Sequence, residues 1–243
     1  MKRFHKSAGT EVADGGHAVL LDGRLIRTPA RRPLVVPSLT LAEAIAAEWD
    51  AQGEEIDHRA MPLMRMAGTA IDDLAGMRDK TAEAVARYAE TDMVCFWAAE
   101  PQKLVERQQA TWRPLLDWLE QAFAAPLAVT TDIHAQQQPP QSLRALHEHV
   151  HRLDSFRLVP LSVATGTAGS LVIGLALVLG RLTATQAFDA AQLDETFQIE
   201  EWGEDDEARR RRAGIVTEFE AVERFCRALD DADMPPAGAA GAS

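Results

Sequence analysis

The sequence predicts an α+β protein, a small β-rich N-terminal domain followed by a mostly α-helical C-terminal domain, and a change of texture near Ser38 carries that prediction. Over residues 1–40, short aliphatic and β-branched runs are punctuated by Gly9, Gly15-Gly16, Gly23, Pro29, Pro33 and Pro37, as in strands joined by tight turns. From Ser38 onward, apolar residues recur at three- and four-residue steps, the period of amphipathic helices. The expected division is a β-rich domain with the first helix over 1–60, an all-helical domain over 61–231, and a disordered tail over 232–243, which is rich in Ala, Gly and Pro.

Taken in order, His17–Leu21 and Arg24–Thr28 flank Asp22-Gly23, a strong hairpin signal because both central residues of such a turn take positive φ. Pro33–Pro37 is expected to add a third strand. Thr40-x-x-Glu43 reads as a capping box opening a helix on which Leu41, Ile45 and Trp49 share a face, ending near Gly53. Further helical faces are Leu63, Ala67, Ala70 and Leu74; Ala82, Val85 and Ala89; and Leu104, Gln108, Trp112, Leu115 and Leu119. Pro101 suits a first turn, whereas Pro114 is expected to kink or divide that last helix.

Leu127–Thr131 reads as extended, and the polar loop Gln136–Pro140 precedes a helix carrying Leu143, Leu146, Val150 and Leu153. The apolar run Leu171–Leu179 falls well short of the roughly 20 residues a membrane span needs and is expected to be a buried core helix. Thr183-x-x-Gln186 makes a second capping box. The last helix places Ile215, Phe219, Val222, Cys226 and Leu229 on one face.

Composition narrows the function. With 37 acidic against 25 basic side chains among 243 residues, the formal net charge of −12 repels phosphate backbones and anionic lipid surfaces, so nucleic acid is excluded as an expected partner. Cys95 and Cys226 sit far apart in apolar stretches, with neither disulfide-framework nor zinc spacing, and are expected to be buried thiols. Met1–Lys6 is basic but leads into no apolar signal core or Arg- and Ser-rich presequence, so the chain is expected in the cytoplasm, without membrane insertion.

No catalytic constellation stands out. His147, His149 and His151 form the one histidine cluster, and helical spacing puts His147 and His151 on one face, as two zinc ligands would be. The glutamate placement of the H-E-x-x-H motif and an evident third ligand are lacking, which favours a solvated helix face and no metal. Gly166–Ser170 lacks the lysine of a phosphate loop and reads as close helix packing. No G-x-S-x-G elbow occurs, so no nucleophile is expected.

The run Glu200–Glu207 leads into Arg209–Arg212. Its second half is explained by acids in a first helical turn and by acid-first i, i+4 pairs: Asp205 with Arg209, Asp206 with Arg210, Glu207 with Arg211. That account leaves out Asp194–Gly203, where carboxylates, an amide and two aromatics alternate, as at surfaces that recognise a partner through aromatic anchors ringed by polar groups.

Leu193-Asp194-Glu195 to Glu201-Trp202-Gly203 resembles the C-terminal signature of the assembly chaperone family for the α subunit of ATP synthase's catalytic head. In the same order, Leu21–Arg24 with Arg27-Thr28-Pro29, Pro33-Leu34 to Pro37, Ala47–Gln52 and Met61-Pro62-Leu63 resemble that family. Thr91-Asp92 with Cys95, Gln108–Trp112 with Pro114-Leu115, and Gly169-Ser170-Leu171 continue the match, so that it spans residues 3–229. The resemblance implies a bacterial, monomeric, non-catalytic chaperone that uses no cofactor and holds the unassembled α subunit against aggregation. By position it implies Glu195, Gln198, Trp202 and Gly203 as contact residues, with Asp194 and Glu200 beside them. Trp49, in the Glu-Trp-Asp segment, is either a contact or, as its apolar face favours, a packing residue. After Gly203 the chain departs from mitochondrial members, which tend to carry a His-Asp pair there, so contacts over Glu204–Arg212 do not transfer. The rivals are a metal-dependent hydrolase using His147 and His151 with a distant acid such as Asp154, and an adaptor for another complex.

Overall fold

In a computed structural model of the chain, which describes residues 1–73 and 76–231, Asp22 and Gly23 both adopt positive φ, 48° and 75°, and close the expected hairpin. Leu74, assigned by pattern to a helix, and residues 232–243, expected to be a disordered tail, lie outside the described residues. The sheet has four antiparallel strands: β1 (Ala8–Ala13), β2 (Gly16–Leu21), β3 (Arg24–Leu25) and β4 (Val35–Val36). β2 is central. It pairs with β1 from Ala8↔Leu21 to Ala13↔Gly16 along one edge, and with both β3 and β4 along the other. β1 is not among the strands the sequence singles out, and the strand expected over Pro33–Pro37 shortens to β4.

The described residues form two compact units, one from those up to 73 and from 224 onward, the other from 76–223. In the first, α1 (Leu39–Asp50) buries Leu41, Ile45 and Trp49 as their spacing requires. Its cap is not the expected Thr40 box. The Ser38 side chain takes that role, accepting the Leu41 N–H at 2.9 Å and donating to the Ala228 carbonyl. Thr40 already lies inside the first turn, whereas the N-cap position requires the extended backbone that Ser38 adopts (φ −118°, ψ 146°). From the far end of α1, the buried Glu48 carboxylate accepts the N–H groups of Leu63 and Met64, both at 2.9 Å, and so caps α2 (Pro62–Asp73). Burial pushes its pKa up, against the pull of those two donors.

The second unit is helical: α3 (Arg78–Ala86), α4 (Gln102–Phe123), α5 (Pro140–Arg152), α6 (Ser155–Ala168), α7 (Leu171–Val178), α8 (Ala184–Ala191), α9 (Leu193–Trp202) and most of α10 (Asp206–Asp230). α4 runs through Pro114 without a break, so the expected division does not occur. Pro114 is exposed, as is Ala110, whose carbonyl the ring leaves without its donor but open to water. All eight residues of α7 are buried, as expected for a core helix, and among the described residues no helix is long and apolar enough to cross a membrane. α8 carries the complete Thr183/Gln186 capping box. Both cysteines are buried thiols outside any disulfide, and burial pushes the Cys95 thiol up to about 12, consistent with an inert core residue.

The turn between α6 and α7 revises one expectation. Gly166–Ser170 is not where helices approach closely. Gly169 (φ 67°) ends α6 in the left-handed region and Ser170 caps α7, accepting the Ile173 N–H at 3.1 Å. The close approach is at Gly174, where a Cβ would stand 2.5 Å from the Thr165 hydroxyl oxygen and 3.1 Å from its backbone nitrogen. Gly174→Ala is therefore expected to cost about 1–3 kcal/mol through overpacking, despite the better helix propensity of alanine. Urea unfolding should show the loss as a lower midpoint at unchanged slope.

Candidate functional site

α9 is a two-sided helix. Its inner side buries Leu193 and Phe197, and the guanidinium of Arg107 and the ammonium of Lys103 lie 5.4 and 5.8 Å from the Phe197 ring centroid. Its outer side carries Glu195, Gln198, Ile199 and Trp202, spaced three and four apart and hence on one face. With Gln192, Asp194, Gly203 and Arg211 of α10, these residues line a groove of about 510 Å³. Trp202 stands at the rim, 81% exposed, on the last turn before Gly203, whose φ of 88° turns the chain away while its N–H returns to the Ile199 carbonyl at 2.8 Å. Gly203 thus shapes the rim by backbone geometry that L side chains rarely adopt.

The sequence-predicted residues divide here. Asp194, Glu195, Gln198, Trp202 and Gly203 come together on the groove. Glu200 points elsewhere, in a bidentate ion pair with Arg107 at 2.9 and 2.6 Å, and this hydrogen bonding holds its pKa down. Trp49 belongs to the other unit. It is 5% exposed, and its ring packs edge-on against His5 at 5.5 Å and against Phe4 and His58 at 6.4 Å.

Buried polar contacts fix the floor of the groove. Asp194 accepts from the Gln108 amide at 2.7 Å, while the Gln108 carbonyl accepts the Ala98 N–H at 2.7 Å, so both polar atoms of the 1% exposed Gln108 side chain are engaged. Burial pushes the Asp194 pKa up. Asp194 and Gln198 also line a neighbouring recess of about 290 Å³ with Phe96, Leu104 and Ile133, and Ile133 is 90% exposed.

The charge run is organised differently from the i, i+4 pairs expected. Asp205 caps α10, accepting the Ala208 N–H at 2.8 Å, and Arg209 pairs with Glu204 at 3.2 Å and Asp206 at 2.8 Å. Arg211 forms an ion pair with Glu195. Arg212 reaches Glu204 at 3.4 Å and the Thr196 hydroxyl at 3.0 Å, with its guanidinium 4.8 Å from the Phe188 ring centroid. Three arginines thereby fasten the start of α10 to the segment around α9. Arg211, Ile199 and Gln192 are groove residues that sequence reasoning missed. Ile199 carried the available signal, since it lies four residues after Glu195 and three before Trp202.

The other candidates separate from this groove. The His147 and His151 rings share a face as predicted and stack at 4.1 Å. Asp154, the acid suggested for a hydrolase, instead caps α6, accepting the Arg157 N–H at 3.1 Å.

A four-stranded sheet ahead of a helical region that presents an exposed aromatic over a polar groove defines an α+β protein with a surface suited to binding rather than a recognisable catalytic centre among the described residues. Comparison with known proteins supplies the family. A family model described as the ATP12 chaperone protein matches residues 2–120. The crystal structure of Atp12 from Paracoccus denitrificans is 40% identical, with a TM-score of 0.88 covering 94% of this chain and 98% of that one. An Agrobacterium tumefaciens protein is 36% identical at the same TM-score, over 94% of this chain and 86% of its own. The mitochondrial protein atp12 of Schizosaccharomyces pombe is 24% identical over 215 residues, 83% of this chain and 74% of that protein. The chain belongs to the ATP12 chaperone family.

Proposed function

We propose that this ATP12-family chaperone serves ATP synthase assembly by holding the unassembled α subunit, covering surface that the β subunit later takes, and leaving as the catalytic head forms. The observation that carries this reading is the groove on α9, where Trp202 stands exposed beside Glu195, Gln198 and Ile199 in the segment that resembles the family signature. An unassembled subunit exposes an apolar patch prone to aggregation. A transient partner must cover that patch and still release it, which suits one aromatic anchor ringed by polar groups better than a broad apolar face. In this reading the protein acts by binding alone, with no catalytic step and no cofactor, as a monomer in the cytoplasm.

Co-expression of the isolated α subunit with and without this chain tests the proposal. The expected result is soluble α subunit that co-purifies with the chaperone; unchanged α solubility and no complex would refute it. Within the groove, Gln198→Lys is a cleaner probe than Glu195→Lys, because Glu195 is already paired with Arg211 and a lysine there would set two cations together. The adaptor reading predicts that pull-down from the cell's own extract recovers another complex instead.

A further inference from the structure

We propose that Glu83 of α3 with His147 and His151 of α5 forms a binding site for zinc, distinct from the α9 groove. Their ligand atoms all lie within 4.8 Å of one another. The Glu83 carboxylate oxygen is 2.9 Å from the His147 Nε2 and 3.7 Å from the His151 Nε2. Ligands about 2.0–2.1 Å from zinc at tetrahedral angles stand roughly 3.3 Å apart, midway between those two separations. The remaining pair, the two Nε2 atoms, lies within 4.8 Å, and side-chain rotations would bring the three atoms into register.

The arrangement is poised for an ion in three further respects. The His151 Nε2 is buried without a hydrogen-bond partner, and it faces the carboxylate at a distance too long for a hydrogen bond. A cation would satisfy that nitrogen and displace the His147–Glu83 hydrogen bond with two coordinate bonds. The two helices are also held together independently of any metal, since Arg78, at the start of α3, donates at 2.5 Å to the carbonyls of both His151 and Leu153 at the end of α5. The backbone that carries the donors is thus held in place. Finally, side-chain exposures of 47% for His147 and 55% for Glu83 leave the fourth tetrahedral position open to water.

The donor set narrows the metal. Two imidazoles and one carboxylate suit zinc and other imidazole-binding first-row metals, whereas calcium and magnesium require oxygen ligands. The sequence shows two of the three ligands, because Glu83 lies 64 residues before His147 and meets it through the packing of α3 on α5. Zinc here would clip the two helices together.

Isothermal titration of the chelator-treated full-length chain with zinc chloride tests the site, supported by the visible spectrum of the cobalt-substituted protein. The expected result is one zinc per chain with a dissociation constant in the micromolar range or below, a higher melting temperature on zinc addition, and tetrahedral cobalt bands. Loss of an outer-sphere partner typically weakens metal binding by about 10–100-fold, so His147→Ala, His151→Ala and Glu83→Gln should each cost at least that much. Glu148→Gln, an exposed carboxylate on α5 outside the cluster, should leave affinity unchanged. No binding to wild-type protein at 100-fold excess zinc would overturn the proposal, and so would binding that survives the cluster substitutions or is lost equally with Glu148→Gln.

Discussion

Replacing Asp92 with alanine is expected to cost about 3–5 kcal/mol, because each buried donor left without an acceptor carries a penalty of roughly 1–3 kcal/mol. Asp92 is fully buried and accepts the N–H groups of Val94 at 3.2 Å and Val172 at 3.1 Å, with further hydrogen bonds from the Leu171 N–H and the Ser170 side chain. It caps α7 from outside the helix, where an anion is favoured by the helix dipole. Burial nonetheless dominates and raises its pKa from 3.8 to about 6.

That direction fixes the sign of the pH dependence. A carboxyl whose pKa is higher in the folded state binds more protons folded than unfolded between pH 3.8 and about 6. Its contribution is fully present below that window and is lost as the pH rises through it. Other carboxylates act oppositely: donors from Lys6 and Ser7 hold Asp22 low, and Arg107 holds Glu200 low. The clean measurement is a comparison with Asp92→Asn, which cannot titrate. Urea unfolding should show the stability advantage of the wild type widening by on the order of 2–3 kcal/mol as the pH falls from neutrality to about 4. A gap independent of pH would show that Asp92 titrates normally.

Asp92 also explains why two distant stretches of sequence belong together. Thr91-Asp92 and Gly169-Ser170-Leu171 are 80 residues apart along the Asp92–Val172 hydrogen bond, and one buried carboxylate joins them. Glu48 does the same for Ala47–Gln52 and Met61-Pro62-Leu63 by capping α2. In both pairs the motif is a helix cap supplied by tertiary structure. Periodicity and local capping rules cannot show this, because they see partners only three or four residues away.

The same boundary separates what was legible from what was not. The Asp22-Gly23 hairpin, the buried α7 and the Thr183 capping box are local devices, and each forms where the residues indicate. β1 escaped because Ala8–Ala13 has no fully buried residue and so no sharp alternation; pairing with β2 makes it a strand. The groove residues Glu195, Gln198 and Trp202 were legible as a helical face. Arg211 was not, since local pairing rules assigned it to Glu207 while folding brings it to Glu195, 16 residues away. The ion pairs of Glu200 with Arg107, of Glu204 with Arg209 and Arg212, and of Asp206 with Arg209 neutralise much of the acidic run internally, and Arg211 does the same for Glu195, so the rim is left to Trp202 and Gln198.

Trp202→Ala should therefore separate binding from stability more sharply than any other substitution in the groove. At 81% exposure the indole stabilises little in the free protein, so truncation should change unfolding free energy by no more than about 0.5 kcal/mol. An aromatic anchor at a protein interface typically contributes 2 kcal/mol or more, so on the proposed function affinity for the α subunit should fall by about 30-fold or more. The loss should appear chiefly as faster dissociation. Trp112 provides the contrast, since it is fully buried and donates to the Ala190 carbonyl at 2.9 Å; Trp112→Ala should unfold the helical unit before binding can be measured. If Trp202→Ala bound the α subunit within twofold of wild type, the client surface would not lie on α9. The exposed Ile133 beside the neighbouring recess would then be the residue to truncate next, because Asp194 and Gln198 border both surfaces.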